Sequence, residues 1–282
     1  MSHTVSVIMC VFNEGLYIRE SIESLTQGTF KKFNIFVIDD GSTDSTPLIL
    51  NELSISDDRI LVIRNEKNLG IAASTNVALS YCDSDFIAIM DADDISLPDR
   101  LEKQVDFLRL HPEIDVVGSS MYILSGLANN EIRTSRQNNL RNTLLKENII
   151  FNPTVMFRQS LVGSGIFKCN SRYRYTHDYH IWTKLSIRSN FANIEEPLVI
   201  YRDNKKRKDS NSSSNPFRRE LEVLAIRSAY FGKLIVSGNF EMIQVRYFLA
   251  SLIKGSFPAF REIFRYWLRQ LKFSINANLL KN

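Results

Sequence analysis

Phe86-Ile-Ala-Ile-Met90 is an apolar run that ends in Asp91-Ala-Asp-Asp94, and Pro98 then suits the first turn of a helix carrying Leu101, Val105 and Leu108. The order is strand, acidic turn, helix. Upstream the same order repeats. Val5 to Val11 is a β-rich run followed by Asn13 as an N-cap and by Ile18, Ile22 and Leu25 at helical spacing up to Gly28. Asn34 to Ile38 and Ile60 to Arg64 read as strands, each followed by a helix, Ser45 to Leu53 and Ile71 to Tyr81; Asp115 to Ser119 is a further strand. Such alternation predicts an α/β fold with a mostly parallel sheet covered on both faces. Ligands of these sheets sit outside the carboxyl ends of the strands. Those ends are acidic here, at Asp39-Asp40-Gly41-Ser42 and at Asp91 to Asp94.

The chain has 282 residues and 44% apolar content, enough for one large or two small packed domains. Cys10, Cys82 and Cys169 form no C-x-x-C pair, which excludes a disulfide framework and a thiolate zinc site and fits a reducing compartment. No basic segment precedes an apolar core at the N-terminus, so a cytoplasmic protein is expected. Residues 216–282 carry eleven Lys/Arg against four Glu, a net of +7, while residues 1–215 sum to −3. That asymmetry divides the chain into an acidic part, 1–215, and a basic helical part, 216–282. Within the first, 1–125 holds the alternating pattern, 126–148 is a polar connecting segment, and helix and strand return at Tyr179 to Leu185 and Leu198 to Tyr201. Residues 203–215 hold no apolar side chain and read as a loop.

Asp91 and Asp93 alternate along an extended segment, so both carboxylates point to one side and suit Mg2+ or Mn2+ bridging phosphates. The alternative is a capping cluster for the helix near Pro98, with Asp94 the member most suited to that role. Asp39 and Asp40 suit contacts to a base N–H and a ribose hydroxyl, or else a turn with Ser42 or Asp44 capping the next helix. His177 and His180, three apart, have no third metal ligand near them in sequence and match a helix packing an aromatic face on the sheet.

Four of these segments occur in order across about 100 residues: Val5-Ser-Val-Ile-Met9 with Asn13, Val37-Ile-Asp-Asp-Gly-Ser-Thr-Asp44, Asn68-Leu-Gly70, and Ile89-Met-Asp-Ala-Asp-Asp-Ile-Ser-Leu-Pro-Asp-Arg-Leu101. The set resembles glycosyltransferase family 2. The resemblance implies a GT-A fold, a Rossmann-like mostly parallel central sheet flanked by helices, here with a helical C-terminal extension. It implies that Asp40 holds the uracil of a UDP-sugar, that Cys10 and Phe12 line the base pocket, and that Asn13 belongs to the same donor site. Asp91 then contacts the ribose or diphosphate and Asp93 ligates Mn2+ or Mg2+. Asn152-Pro-Thr-Val-Met-Phe-Arg158 and His177-Asp-Tyr-His-Ile-Trp182 resemble the acceptor half, with Asp178 as the catalytic base. Where the common family form has a second acid before the base, this chain has His177. It also lacks a His in the loop after Tyr201-Arg202.

Phe257, Phe260, Phe264, Trp267 and Leu271 follow helical spacing, with Arg261, Arg265, Arg269 and Lys272 on another side. Such a helix suits either an anionic membrane surface or a protein contact, including one between two copies of the chain. Nucleic acid is not an expected partner. The expected activity is inverting transfer of a hexose from a UDP-sugar to a saccharide acceptor, polyprenyl-diphosphate-linked, in bacterial O-antigen, capsule or exopolysaccharide synthesis at the inner membrane face. Two alternatives are a haloacid-dehalogenase-like phosphatase, whose D-x-D motif lies on its first strand, and a non-catalytic nucleotide-sugar-binding module.

Overall fold

The computed structural model describes residues 4–124, 130–133, 140–203 and 215–237, together with 244, 245 and 248. The first half alternates as expected: β1 (Val5–Val11), α1 (Ile18–Thr26), β2 (Phe33–Asp39), α2 (Thr46–Ser56), β3 (Ile60–Arg64), α3 (Ile71–Leu79), β4 (Phe86–Ile89). Then come β5 (Ile95–Ser96), α4 (Arg100–Leu110), β6 (Val116–Leu124), β7 (Asn130–Arg133) and α5 (Leu140–Leu144). The remaining elements are β8 (Met156–Arg158), α6 (Ser160–Gly163), α7 (His177–Leu185), β9 (Phe191–Arg202) and α8 (Pro216–Val236).

Nine strands form one sheet in the order β3-β2-β1-β4-β8-β6-β9-β5, with β7 added on β6. β3, β2, β1 and β4 are mutually parallel, as are β6 and β9, whereas β8, β7 and β5 enter antiparallel. The parallel expectation therefore holds for the first half, and the second half is mixed. β1 shows how both faces are filled by the period of two. Its Val5, Val7, Met9 and Val11 join α1, α2 and α4 in one core, and its Ile8 joins α3, α7 and α8 in the other. Ile226, Tyr230 and Leu234 of α8 lie in that second core, so packing does not stop where the chain's charge changes.

The structure departs from the sequence reading at particular residues. α1 begins after Tyr17, not at Asn13; Asn13 instead adopts φ +56° and its Oδ1 accepts from the Thr43 amide. The segment 126–148, read as irregular, contains β7 and α5. β9 is twelve residues long, where only Leu198 to Tyr201 looked strand-like. Glu195 and Glu196 are exposed at a register shift between Ser119 and Ser120 of β6, and Pro197, which has no N–H to donate, sits at that bulge. Polar composition hid a strand whose backbone is satisfied by β6. The predicted loop lies mostly outside the described residues, at 204–214, and so does the basic amphipathic stretch 257–272.

Candidate active site

β1 pairs with β2 on one side and β4 on the other, all parallel, so the acidic ends of β2 and β4 flank the end of β1. Two strand spacings separate them, roughly 10 Å. Between them lie Cys10, Phe12 and Asn13. Phe12 is 44% exposed and available to a planar ligand. Cys10 lies 3.6 Å from the Thr75 hydroxyl, and burial pushes its thiol up to about 12, so the thiol is neutral and a poor nucleophile.

The two acids of β2 do different work. Asp39 Oδ1 accepts from the Ser42 amide at 2.8 Å, the turn role, and its Oδ2 lies 3.4 Å from Arg64. Asp40 accepts from Asn65 Nδ2 and the Leu69 amide on Oδ1, and from the Gly70 amide on Oδ2, each at 2.8 Å. It thereby ties down the loop into α3, where Gly70 has φ +85°. Three of roughly four acceptor positions on a carboxylate are then used, leaving one for a ligand N–H. Gly41, at φ +78°, lies beneath that loop: an added Cβ would meet the Lys67 carbonyl carbon at 3.0 Å.

At the end of β4, burial beside the Asp93 and Asp178 carboxylates pushes Asp91 up to about 7. Asp94 is wholly buried, and its Oδ1 accepts from the Arg202 amide at 3.0 Å. It does not cap α4, which starts at Arg100 after Asp99. Instead it straps β5 to β9. Burial and the neighbouring Asp91 raise its pKa well above the usual carboxylate value, and among the described residues its Oδ2 has no hydrogen-bond partner. Arg202 reaches back to the Asp93 carbonyl at 2.6 Å, pairs with Glu20 and lies over Tyr17. Arg100, fully buried, donates to the Ile89 carbonyl and to Gln104; burial lowers its pKa to about 10. Removing Arg202 would leave a buried carbonyl and a loop without its anchor. Arg202→Ala is expected to lower unfolding free energy by about 2–4 kcal/mol and to weaken UDP binding. Thermal unfolding with and without UDP checks both; an unchanged UDP-dependent shift would separate Arg202 from the donor site.

Asp178 is the second residue of α7, and Asn148 Nδ2 donates to its Oδ2 at 2.8 Å. Asp178 lies close enough to Asp91 for its charge to add to the rise of the Asp91 carboxyl. The turn into α7 is held from α8. The Glu222 carboxylate, 8% exposed, accepts from the amides of Arg174 and Tyr175 at 3.1 and 2.9 Å and from the Thr176 hydroxyl at 3.0 Å. His177 is kept neutral by burial and its Nδ1 has no partner. His180 stacks on Tyr173 at 4.4 Å and is lowered to about 4 by burial, while Trp182 is fully buried beside Phe167 and Phe191. α7 thus packs an aromatic face as its spacing predicts. Asn148, Glu222 and Arg202 act across 30 to 182 positions, with no local motif to mark them.

The donor set suits a hard divalent cation. Asp91 and Asp93 offer oxygen ligands, and the raised Asp91 marks negative charge in need of compensation. Among the described residues no group of three or more His, Cys, Asp and Glu is gathered to hold a metal. Also among the described residues, no helix is long and apolar enough to cross a membrane.

Similarity to known proteins agrees with this layout. An uncharacterised glycosyltransferase of Haemophilus influenzae is 36% identical over 209 residues, covering 70% of this chain and 65% of that protein, so the chain spans slightly under two thirds of it. An Escherichia coli UDP-Glc:alpha-D-GlcNAc-diphosphoundecaprenol beta-1,3-glucosyltransferase is 30% identical over 228 residues, 79% of this chain and 85% of the relative. The crystal structure of Staphylococcus aureus TarS residues 1–349 with UDP superposes with a TM-score of 0.68 at 20% identity, over 92% of this chain and 73% of that one. That likeness establishes the GT-A fold. The family model described as glycosyl transferase family 2 matches residues 6–182, which run from β1 through the acid pair of β4 to Trp182 of α7, and the chain belongs to that family.

Proposed function

We propose that this glycosyltransferase moves a hexose from a UDP-sugar to the hydroxyl of a saccharide acceptor, with inversion and with help from Mn2+ or Mg2+. The observation that carries the reading is the convergence of Asp178 with the Asp91–Asp93 pair beside the Asp40 loop. The nucleoside belongs at Phe12, Asn13 and the free acceptor position of Asp40. Asp93 would hold the metal, which when bound neutralises charge on the departing diphosphate, and Asp91 contacts the ribose or diphosphate. Asp178, oriented by Asn148, accepts the proton of the acceptor hydroxyl as that oxygen bonds to the anomeric carbon. The bond from that carbon to UDP breaks on the opposite face, so an α-linked donor yields a β-glycoside.

The Escherichia coli relative named for a diphosphoundecaprenol acceptor supports a polyprenyl-diphosphate-linked saccharide as substrate here. A bacterial surface polysaccharide is the corresponding product, and the cytoplasmic membrane face the corresponding place. The basic region 216–282 is read as the part that meets that surface. A phosphatase of haloacid-dehalogenase type fits less well, since Asp91 and Asp93 follow the fourth strand and not the first. Proton NMR of the product formed from UDP-hexoses, Mn2+ and a lipid-linked saccharide tests the reading. A new β-anomeric signal from an α-donor is expected; a retained α configuration, or release of inorganic phosphate in place of transfer, would overturn it.

A further inference from the structure

A cavity of about 280 Å3 lies between the start of α3, Asn68 to Ala72, and the turn before α7, with Ser171, Arg174 and Arg218 completing its wall. Among the described residues no acidic side chain lines it. Two arginines share a small space, and one carboxylate touches the backbone of the first and the guanidinium of the second. Glu222, buried in α8, holds the Arg174 amide at 3.1 Å and stands 3.7 Å from Arg218 Nε, so it fixes where both arginines start. Its oxygens are also engaged with Tyr175 and Thr176. Among the described residues, one carboxylate so occupied stands against two arginines at the cavity.

The cavity is placed between the two ends of the reaction. Leu69 and Gly70 in its wall are the residues whose amides Asp40 holds. Arg174 precedes Asp178 by four residues, so their Cα atoms are at most roughly 14 Å apart. The Asp91–Asp93 pair ends β4, on the far side of β1 from Asp40. We propose that the cavity is an acceptor subsite that binds a phosphate group of the saccharide acceptor through Arg174, Arg218 and the Ser171 hydroxyl. Guanidinium forks match phosphate oxygens, and the volume is near the lower end of small-molecule sites, roughly 300–1,000 Å3. The assignment deepens the transferase reading and rests on it for the acceptor's identity, but anion binding is measurable without turnover.

The test uses the full chain loaded with UDP and follows inorganic phosphate by 31P NMR, in the parent and in an Arg174→Gln/Arg218→Gln double variant. Saturable phosphate binding is expected in the parent, weakened at least tenfold in the double variant, with UDP affinity within twofold of the parent. An Arg174→Lys/Arg218→Lys variant, which keeps both charges, is expected to recover part of the binding and guards against misfolding. Equal phosphate binding by parent and Gln variant would overturn the subsite. A tenfold loss of UDP affinity in the Gln variant would assign the arginines to the donor and overturn the acceptor role. In transfer assays, two acceptors identical but for a diphosphate or a neutral linker should differ at least tenfold in KM with the parent and converge with the variant; equal KM values with the parent would also contradict the proposal.

Discussion

Asp178→Asn is expected to lower kcat for sugar transfer roughly 10^3-fold while leaving the affinity for UDP within a few-fold of the parent. Asn has the shape of Asp but cannot take a proton at neutral pH. Its position is fixed twice over, by the Asn148 hydrogen bond and by Glu222 holding the turn into α7, so the substitution should leave the backbone in place. Its effect should fall on the chemical step. A comparable loss of UDP binding would mean that Asp178 acts on the donor. Full activity would mean that some other group serves as the base.

Asp91 and Asp93 carry the second large effect, and it has two opposite signs. Asp93→Ala is expected to abolish the Mn2+-dependent rise in melting temperature in the presence of UDP and to cut turnover roughly 10^3-fold. Asp91→Asn should also lose turnover but gain stability, because it removes a buried charge crowded by two others. The unfolded carboxyl releases its proton near 3.8 and the folded one near 7, so the parent loses stability as pH rises through that window and the Asn variant does not. At about 1.4 kcal/mol per pH unit, the ceiling on the gain is about 4 kcal/mol above pH 7, vanishing below pH 4. Melting curves of both proteins without metal at pH 4 and pH 7.5 check this; a variant no more stable than the parent at pH 7.5 would show that the charge is already compensated. Such a gain is the signature of carboxylates kept for function at the expense of stability.

What could be read from the chain alone follows from which forces are local. β1 has the bounds its apolar run predicts, because a strand buried on both faces writes its limits as hydrophobic residues. Asp40, Asp91 and Asp178 stand out as candidates because each sits beside a strand end or helix start with a characteristic neighbourhood. Asn13 was misread as a cap because the turn after β1 uses it in a left-handed conformation to grip the Thr43 amide, a purpose invisible in a periodicity pattern. Asp94 carries the same lesson: its partner is the backbone of Arg202, 108 positions away. Glu222 and Asn148 leave no trace in sequence either, since a single polar residue in a helix or loop reads as a solvated one until the fold buries it. The second half of the sheet was harder because short antiparallel strands and a bulged β9 carry neither a long apolar run nor a clean alternation.

The most direct test of the proton-acceptor role is transfer to acceptor by parent and Asp178→Asn under identical saturation with UDP-hexose and Mn2+, with bound donor quantified in the same samples. Full donor occupancy in both proteins, with transfer in the variant lower by roughly 10^3-fold, is the predicted result. Equal transfer rates at equal occupancy would contradict it.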